Sequence, residues 1–300
     1  MNTNPEDRDP YRLDDSAVRR SFDRAVAGYD AAAIVQSIVR DRLLERLDDV
    51  RVKPRVILDA GSGTGHGGVA LLKRYRGSRV VALDLALSMA RESRRRRPLL
   101  RRLDAVCADT AAIPLPDASV DLIHSNLMLQ WCNDLDEVLS EFLRVLTPGG
   151  LLTFTTFGPD TLTELRRSWQ AADGKVHVNR FIDMHDIGDA AVRVGFAEPV
   201  MDVDRICTTY QCLTDLMRDL KAIGAHNVTA GRNRGLTGRR RLQAAERAYE
   251  EFRRDSRLPA TWEVIYGQGW KPLSAPDRPS AAGEVRIPVA SIGRRPGSDD

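Results

Sequence analysis

The sequence contains little cysteine. Its 300 residues include four, Cys107, Cys132, Cys207 and Cys212. They form no CxxC pair and have no histidine array of matching spacing beside them, so neither a zinc site nor a disulfide framework is expected. We interpret all four as reduced thiols.

The sequence also lacks long apolar runs. No uninterrupted stretch approaches the roughly 20 apolar residues that a membrane-spanning helix needs. The opening residues, MNTNPEDRDPYRLDD, are polar and acidic, unlike a secretory or mitochondrial targeting signal. Hydrophobic residues make up 42% of the chain and charged residues 29%, as is ordinary for a globular protein. We therefore expect a cytoplasmic protein without a membrane span.

The formal net charge is only +3, but the positive residues are clustered. Two arginine-rich runs stand out, RESRRRRPLLRR (91–102) and GRNRGLTGRRR (231–241). Such runs either bind an acidic partner or coat a solvated helix face. Neither run carries the interleaved aromatic residues with which proteins stack on single-stranded nucleic acid, so no nucleic-acid partner is expected.

Strand-like apolar segments alternate with helical periodicity through the middle of the chain. The predicted strands are VILDA (56–60), RVVALD (79–84), AVCAD (105–109), VDLIHSN (120–126), LLTFTTF (151–157), PVMDVDRICTTY (199–210) and TWEVIYGQGW (261–270). Helices are predicted between them, including DLDEVLSEFLRVL (134–146). Repeated βαβ units indicate the α/β class, with a mostly parallel sheet that helices cover on both faces.

The segments around this core set the predicted domain organisation. It consists of a helical leader (1–50), a core (51–205), a charged helical lid or insertion (206–258), a final core strand (259–271) and a tail (272–300). Two amphipathic helices, broken near Gly28 and Tyr29, are expected in the leader. The tail is rich in Pro, Ser, Gly and Arg, and we expect it to be disordered.

A glycine-rich loop, DAGSGTG, directly follows the first strand. Gly61, Gly63 and Gly65 permit a tight turn and a close approach to a ligand that a Cβ would prevent. Because such loops also serve dinucleotides and ordinary turns, the following strand ends are needed to narrow the interpretation. Asp84 and Asp109 end the next two strands, where carboxylates can accept ribose hydroxyls and an adenine amino group. Helix capping is the competing role for both.

Four segments together resemble the class I S-adenosylmethionine-dependent methyltransferases. They are DAGSGTG, ALDLALSMA, CADTAAIPLPDASVDLIHSNLMLQW and RVLTPGGLL. The resemblance implies a Rossmann-like fold whose mostly parallel, seven-stranded sheet has an antiparallel last strand, with a helical lid insertion. It also implies S-adenosyl-L-methionine as the cofactor. The implied cofactor-binding residues are Asp59, Gly61, Gly63, Gly65, Asp84, Met89, Asp109, Thr110, Asn126 and Leu127.

The resemblance also assigns parts of the cofactor to these residues. The glycines lie against its methionine part, and Asp84 takes the ribose. Met89 covers one face of the adenine, although taken alone it would more often be a core methionine. Asp109 and Thr110 meet the adenine edge, and the segment that begins at Asn126 lies near the sulfonium.

Segments outside these motifs narrow the resemblance. SFDRAVAGYD, SNLMLQWC, FTTFGPDTLTELRRSW, HVNRF, LKAIGAHN and LPATWEVIYGQGW are similar to the malonyl-[acyl-carrier protein] O-methyltransferases of biotin synthesis. That family esterifies the free carboxylate of a malonyl thioester. A carboxylate, with a reference pKa of about 4, is already ionised at neutral pH, so the reaction requires no general base. The enzyme has to align the carboxylate with the methyl group and exclude water.

The segment KVHVNRFIDMHDI (175–187) contains two histidines, one arginine and two aspartates. Asp183 is a predicted helix N-cap, which leaves His185 on the surface, so no metal site is expected. The resemblance places Arg180 against the substrate carboxylate, a role that suits a planar guanidinium. A structural salt bridge, for example to Asp183, is the alternative. His177 is a further candidate from the same segment.

Three more residues complete the implied catalytic pocket: Tyr29 from the leader, and Gln130 with Trp131 after the fourth strand. Packing alone would explain Trp131 equally well. The implied partner is malonyl-acyl carrier protein, an acidic protein that would dock on the basic lid. The lid residues proposed for this contact are Arg218, Lys221, Arg232 and Arg234, and a solvated face is the competing explanation.

Other activities remain open from the sequence. One is methylation of another small acid or of a quinone precursor on the same fold. A second is protein-arginine hydroxylation in the assembly of a respiratory complex, because a mitochondrial branch resembling this family has that activity. A third is a cofactor-binding scaffold without turnover, which the intact DAGSGTG loop disfavours.

Overall fold

A seven-stranded sheet forms the centre of the protein. The computed structural model describes residues 11–173, 177–225, 227–229 and 238–274. The strands are β1 (Val56–Ala60), β2 (Arg79–Asp84), β3 (Arg102–Cys107), β4 (Val120–Asn126), β5 (Leu146–Phe157), β6 (Ala197–Tyr210) and β7 (Leu258–Trp270). Their order is β3-β2-β1-β4-β5-β7-β6. β7 pairs antiparallel with both of its neighbours, β5 and β6, and all other pairings are parallel, which confirms the predicted α/β class and the antiparallel last strand.

Ten α-helices and a short 3-10 helix, Leu129–Trp131, are found in the described part of the chain. The α-helices are α1 (Asp15–Ala25), α2 (Tyr29–Ala32), α3 (Ile34–Arg46), α4 (His66–Arg74), α5 (Leu87–Arg95), α6 (Leu135–Val145), α7 (Thr163–Asp173), α8 (Met184–Val194), α9 (Leu213–Ala222) and α10 (Arg239–Glu250). The leader breaks near Gly28 as predicted. Its second part is divided again, because Ala33 leaves the helical conformation between α2 and α3.

The strands bury side chains on both faces of the sheet. In β1, Ile57 packs with Leu71 of α4 on one face, and Leu58 packs with Phe142 of α6 on the other. Both β1 side chains are fully buried. A parallel strand covered on both sides has no solvent-facing row, which explains why its sequence is continuously apolar rather than alternating.

A second hydrophobic cluster lies beside the antiparallel end of the sheet, where the predicted lid packs on it. Val39 of α3, Trp169 of α7, Leu216 of α9 and Tyr249 of α10 are buried together in it. The Tyr249 hydroxyl donates to the Pro259 carbonyl over 2.8 Å, so the one polar atom of this large side chain is satisfied. This second core fixes the lid helices to the antiparallel end of the sheet.

Several element boundaries differ from those predicted. β3 was predicted at 105–109, but it pairs with β2 from Arg102 to Cys107, so Asp109 lies beyond the strand. β5 was predicted to begin at residue 151, whereas it begins at Leu146 and changes register against β4 before Leu151. β6 was predicted at 199–210; it begins two residues earlier, at Ala197, and ends at Tyr210 as predicted.

Some predictions fall on parts of the chain that the structure does not describe. These are the first ten residues, the arginine-rich run up to residue 237, and the tail beyond residue 274. The division into leader, core, lid and tail stays a prediction. Within the described segments, no helix is both long enough and apolar enough to cross a membrane.

Gly267 in β7 allows the sheet to pack against Phe154 of the neighbouring strand. A Cβ at this position would lie 2.2 Å from the Phe154 ring, which is buried. Gly267→Ala should therefore lower the melting temperature by about 2–12 °C, from an overpacking cost of about 1–3 kcal/mol. Thermal unfolding measures this, with Gly77→Ala as the control, since a Cβ there meets nothing within 4 Å. Equal melting temperatures for the two variants would contradict the packing argument.

Candidate active site

The strand order reverses between β1 and β4. The chain proceeds from β1 through β2 to β3 on one side and then returns to β4 on the other side of β1. The connections that follow β1 and β4 therefore diverge and leave a crevice at the carboxyl ends of the strands. Asp59, Asp84 and Asn126 stand at or next to the ends of β1, β2 and β4, so the topology brings these predicted residues to one place.

The glycine loop turns tightly at the edge of this crevice. Gly61 and Gly63 have φ angles of +74° and +53°, which glycine adopts without steric cost. The backbone amides of Gly61 and Ser62 both donate to the Leu83 carbonyl, at 2.8 and 2.9 Å. A Cβ on Gly61 would lie 2.4 Å from Met128, so the loop also rests against the segment after β4.

A cavity of about 370 Å³ opens beside the loop, within the size range of small-molecule sites. Eight of the ten predicted cofactor residues line it: Gly61, Gly63, Asp84, Met89, Asp109, Thr110, Asn126 and Leu127. Three predicted catalytic residues, Tyr29, Gln130 and Trp131, line it as well. We call this space the cofactor cavity.

Asp59 and Gly65 are the two predicted cofactor residues outside this cavity. Asp59 lines a smaller adjoining cavity of about 70 Å³, which shares Gly61 and Gly63 with the cofactor cavity. Gly65 caps the start of α4 with a φ of +90°, and a Cβ there would lie 2.5 Å from the Ser93 hydroxyl. Gly65 thus packs α4 against α5 and does not line either cavity.

Residues far from the motifs form the roof of the cofactor cavity. Val18 and Phe22 come from the leader, and Ile223 and Ala225 come from the end of α9 and its following turn. The Phe22 ring meets Trp131 edge to face, with 5.2 Å between ring centroids. Trp131 therefore supports the roof as well as lining the cavity.

Two hydrogen bonds join the leader to the lid above the cavity. The Ser21 hydroxyl donates to the Gly224 carbonyl over 2.7 Å, and the Asp14 amide donates to the Val228 carbonyl over 3.1 Å. Sequence reasoning did not identify the roof residues, because an amphipathic helix face gives no sign of which ligand it covers.

Asp84 lies deep in the cofactor cavity. Its Oδ2 accepts from the Gly63 amide over 2.8 Å, and its Oδ1 accepts from the Ala86 amide over 2.9 Å. Burial raises the pKa of this carboxyl group to about 6, although the two amides act in the opposite direction. Burial, together with Asp84 and Asp30, also raises the pKa of the neighbouring Tyr29 hydroxyl, so Tyr29 is a neutral donor at physiological pH.

The charges that line the cofactor cavity are unbalanced. Five of its lining side chains are carboxyl groups: Asp15, Asp84, Asp109, Asp134 and Glu137. Arg12 is the one lysine or arginine among the described lining residues. Burial, and then the nearby charge of Asp109, raise the pKa of Asp15. Such a surface favours a ligand with donors and positive charge.

Asn126 and Leu127 connect three elements at the far end of the cofactor cavity. The Asn126 amide donates to the Gln36 carbonyl of α3 over 3.0 Å, and its oxygen accepts from Thr155 of β5 over 2.9 Å. Leu127 has a φ of +51°, unusual for a leucine. Its amide donates to the Thr155 carbonyl and hydroxyl, which stabilise this conformation.

Gln130 stands in the wall between the cofactor cavity and a second, larger one of about 890 Å³. Its Nε2 donates to the Leu127 carbonyl over 2.7 Å, and its Oε1 accepts from the Thr156 hydroxyl over 3.2 Å. Arg12, Cys132 and Asn133 also line both spaces. We call the larger space the second cavity.

Arg180 and His177 line the second cavity and not the cofactor cavity. Arg180 is exposed, and its guanidinium lies 5.8 Å from the centre of the Tyr11 ring. The alternative salt bridge with Asp183 is not formed, because Asp183 caps α8 and its carboxylate accepts from the His185 amide over 2.8 Å. Among the residues that the structure describes, no carboxylate lies within ion-pair distance of Arg180.

His177 is held by structural contacts. Its Nε2 lies 2.9 Å from an Asp173 oxygen, and its ring stacks on Trp169 with 4.0 Å between centroids. These contacts fix the segment that carries Arg180 to the end of α7. The other histidine of the segment, His185, pairs with Asp183 on the surface. Across the described ranges, no group of three or more His, Cys, Asp or Glu side chains is arranged to hold a metal ion.

Relatives cover nearly the whole chain. A malonyl-[acyl-carrier protein] O-methyltransferase from Methylovorus sp. (strain MP688) is 53% identical over 285 residues, which are 93% of this chain and 96% of that protein. The protein of the same name from Laribacter hongkongensis (strain HLHK9) is 55% identical over 276 residues, covering 89% and 93% of the two chains. The chain belongs to this family.

Broader comparisons show a methyltransferase domain and its fold. Residues 58–154 match a family described as a methyltransferase domain, which spans β1 into β5. A methyltransferase structure from Bacillus halodurans C-125 superposes with a TM-score of 0.55 at 16% identity, over 78% of this chain and 98% of that one. A protein from Bacillus subtilis gives 0.54 at 15% identity, over 77% and 97%. At these identities the likeness shows the fold alone.

The raised pKa of Asp84 should make cofactor binding depend on pH. In the assigned role, the ribose hydroxyls of the cofactor donate to the ionised carboxylate of Asp84. Below about pH 6 this carboxyl group is protonated, and it has to lose the proton before the cofactor binds. The dissociation constant of S-adenosylhomocysteine should therefore rise by up to about tenfold per pH unit below about pH 6 and level off above about pH 7. Calorimetry between about pH 5 and 8 tests this. Asp84→Asn should bind more weakly and lose most of the dependence, and a parent profile as flat as that variant's would contradict the assignment.

Proposed function

We propose that this protein transfers the methyl group of S-adenosylmethionine to the free carboxylate of malonyl-acyl carrier protein, giving the methyl ester that primes pimeloyl synthesis for biotin. The observation that carries the proposal is the 53–55% identity, over about nine tenths of the chain, to proteins of that name. The two adjoining cavities, with Gln130 in their shared wall, give the reaction a physical basis. The cytoplasmic location expected from the sequence is part of the same proposal.

The cofactor cavity fits the proposed cofactor. Gly63 leaves an open side there, since a Cβ on it would meet only Tyr29, at 3.9 Å. Asp84 offers buried carboxylate oxygens to hydroxyl donors, Met89 offers an apolar surface, and the excess of carboxyl groups suits a cation. S-adenosylmethionine held there supplies an activated methyl group.

The remaining task of the protein is to position the nucleophile. A malonyl carboxylate is ionised at neutral pH, so no residue has to remove a proton. Arg180, exposed and without an ion-pair partner among the described residues, can orient this carboxylate from the second cavity. A bidentate pair would occupy both oxygens, so we propose a single or angled contact that leaves one oxygen free to react. Gln130 separates the two cavities where the reacting groups would meet.

The size of the second cavity supports a carrier-bound substrate. At about 890 Å³ it far exceeds what a three-carbon acyl group fills. Leu129, Trp169 and Phe181 give it apolar walls. We propose that the rest of this space receives the thioester arm by which the carrier protein presents the malonyl group. Displacement of water by the arm strengthens the contact between Arg180 and the carboxylate.

The lid presents positive charge beside this cavity. α10 packs on α7, whose residues Arg166 and Trp169 line the second cavity. α10 begins with three exposed arginines, Arg239, Arg240 and Arg241. Positive charge at a helix N-terminus opposes the helix dipole, so helix stability does not account for them.

α9 adds two more exposed positive side chains to the lid, Arg218 and Lys221. Arg232 and Arg234, also expected in this surface, lie outside the described residues. We propose that these basic lid residues dock the acidic carrier protein.

Arg180 provides the first test of the substrate role. Arg180→Gln should lower the turnover of malonyl-acyl carrier protein about a hundredfold or more, because a misoriented nucleophile loses much of the benefit of proximity. Binding of S-adenosylhomocysteine should barely change, since Arg180 lies outside the cofactor cavity. Arg180→Lys should recover part of the activity, because it keeps the charge but loses the planar donor geometry. Single-turnover assays and calorimetry on both variants measure these effects, and near-parental turnover by a folded Arg180→Gln protein would remove Arg180 from the mechanism.

The lid provides the second test. Replacing Arg239 and Arg240 by glutamine should raise the Michaelis constant for malonyl-acyl carrier protein several-fold and leave that for malonyl-coenzyme A less affected, because only the carrier protein reaches the lid surface. The melting temperature should not fall, given the opposed helix dipole. Arg91→Gln with Arg94→Gln on α5 is the matched control, since it removes the same charge elsewhere. If the lid and control variants discriminate the two substrates alike, the docking surface is not on α10.

A further inference from the structure

A buried pair of ionisable side chains lies behind the glycine loop. Asp59 of β1 and His124 of β4 are directly opposite each other where the two strands pair. Their side chains are 3% and 1% exposed, and His124 Nδ1 lies 2.9 Å from Asp59 Oδ1. Because a carboxylate can only accept, Nδ1 of the imidazole has to carry the proton and donate it.

Each member of the pair also has a buried atom with no hydrogen-bond partner. Among the described residues, neither Asp59 Oδ2 nor His124 Nε2 has one. A neutral ring leaves Nε2 as a lone pair, which is less costly than an unpaired donor. An unpaired carboxylate oxygen is far more costly to bury, so Asp59 Oδ2 is the atom whose partner has to be explained.

Asp59 lies between the start of α4 and the small cavity. The first turn of α4 closes one side, since a Cβ on Gly67 would lie only 3.0 Å from Asp59 Oδ2. His124 closes another. The small cavity of about 70 Å³ lies beside the pair, and Asp59 and His124 line it together with Gly61, Gly63 and Asn126.

Other charged groups around the small cavity are already paired. Asp30 accepts from the Thr64 hydroxyl and from the Arg96 guanidinium, each over 2.6 Å. Arg40 donates to Asp41. None of these cations pairs with Asp59, so a donor on a ligand in the small cavity can supply the partner of its free oxygen.

We propose that His124 is a positioning residue for the cofactor. Its Nδ1–H holds one oxygen of Asp59 and thereby keeps the other directed into the small cavity, as the acceptor for the ammonium group of the cofactor's amino-acid part. The inference rests on the proposed cofactor and adds a residue that contacts Asp59 and not the cofactor. Without His124 the carboxylate is free to rotate away, and the contact with the ammonium group weakens.

Two ligands distinguish the positioning role of His124 from a purely structural role. S-adenosylhomocysteine carries the amino-acid part, whereas 5′-methylthioadenosine has the same adenosine and sulfur without it. His124→Leu, which removes the donor, should weaken S-adenosylhomocysteine about tenfold or more and leave 5′-methylthioadenosine within about twofold. His124→Asn should restore most of the lost affinity, because its amide nitrogen lies near the position of Nδ1. His124→Gln should behave like His124→Leu, because its amide nitrogen lies farther out, near the position of Nε2.

Calorimetry with both ligands on all four proteins gives the answer, with unfolding temperatures as the check on folding. Equal losses of both ligands would show a structural role and overturn the proposal, as would unchanged affinity for S-adenosylhomocysteine in the Leu and Gln variants. If His124→Leu does not fold, the contrast between Asn and Gln carries the same test. A parent protein that binds neither ligand would instead overturn the proposed function, so the two failures are distinguishable.

Discussion

A crevice opens in a parallel sheet wherever the strand order reverses, and the chemistry of this protein is arranged around the reversal between β1 and β4. The glycine loop, Asp84 and Asn126 reach the crevice because each follows or ends one of the strands that border it. The same reversal places Asp59 opposite His124. A different strand order would separate these residues even if every strand kept its sequence.

The strands leave the crevice open on one side. Segments outside the predicted core cover that side. The leader supplies Val18 and Phe22, and the lid supplies Ile223 and Ala225. The bond from Ser21 to Gly224 joins the two covering segments to each other. Gln130 lies between the cofactor cavity and the second cavity and lines both. Its side chain is held by hydrogen bonds to Leu127 and Thr156. A ligand in either cavity is thereby positioned against the ends of β4 and β5.

Local sequence predicted the parts of the fold that depend on local physics. β1, β2 and β4 have the predicted bounds, because each is an apolar run buried on both faces and ended by a polar residue or a glycine loop. β3 lies at the sheet edge, where Arg102 and Asp104 are exposed, so pairing with β2 and not apolar periodicity decides where it begins. Asp183 was predicted as an N-cap from its neighbours, and it caps α8.

In the candidate site, too, local sequence predicts some residues, and packing between distant segments determines the others. Residues at the strand ends, such as Asp84 and Asn126, lie together as predicted. In this fold class the carboxyl ends of the parallel strands lie at one edge of the sheet. The roof arises from packing between the segments of Phe22 and Ile223, about two hundred residues apart, and the cavity of Arg180 from packing among several separate segments. No local sequence pattern encodes such packing. In the sequence, nothing distinguishes His124 from the other residues of a buried strand. Its position opposite Asp59 is known only once the structure shows that β4 pairs with β1. Its proposed positioning role follows from its contact with Asp59, whose other oxygen has no partner among the described residues.

The charge imbalance of the cofactor cavity has a consequence for turnover. Five carboxyl groups and one guanidinium line a space that receives a sulfonium cation and, after methyl transfer, retains a neutral thioether of nearly the same shape. Shape cannot distinguish the two molecules, but the electrostatic potential of the cavity can, because it attracts the cation more strongly. On electrostatic grounds the lining therefore favours a fresh, cationic cofactor over the spent, neutral one.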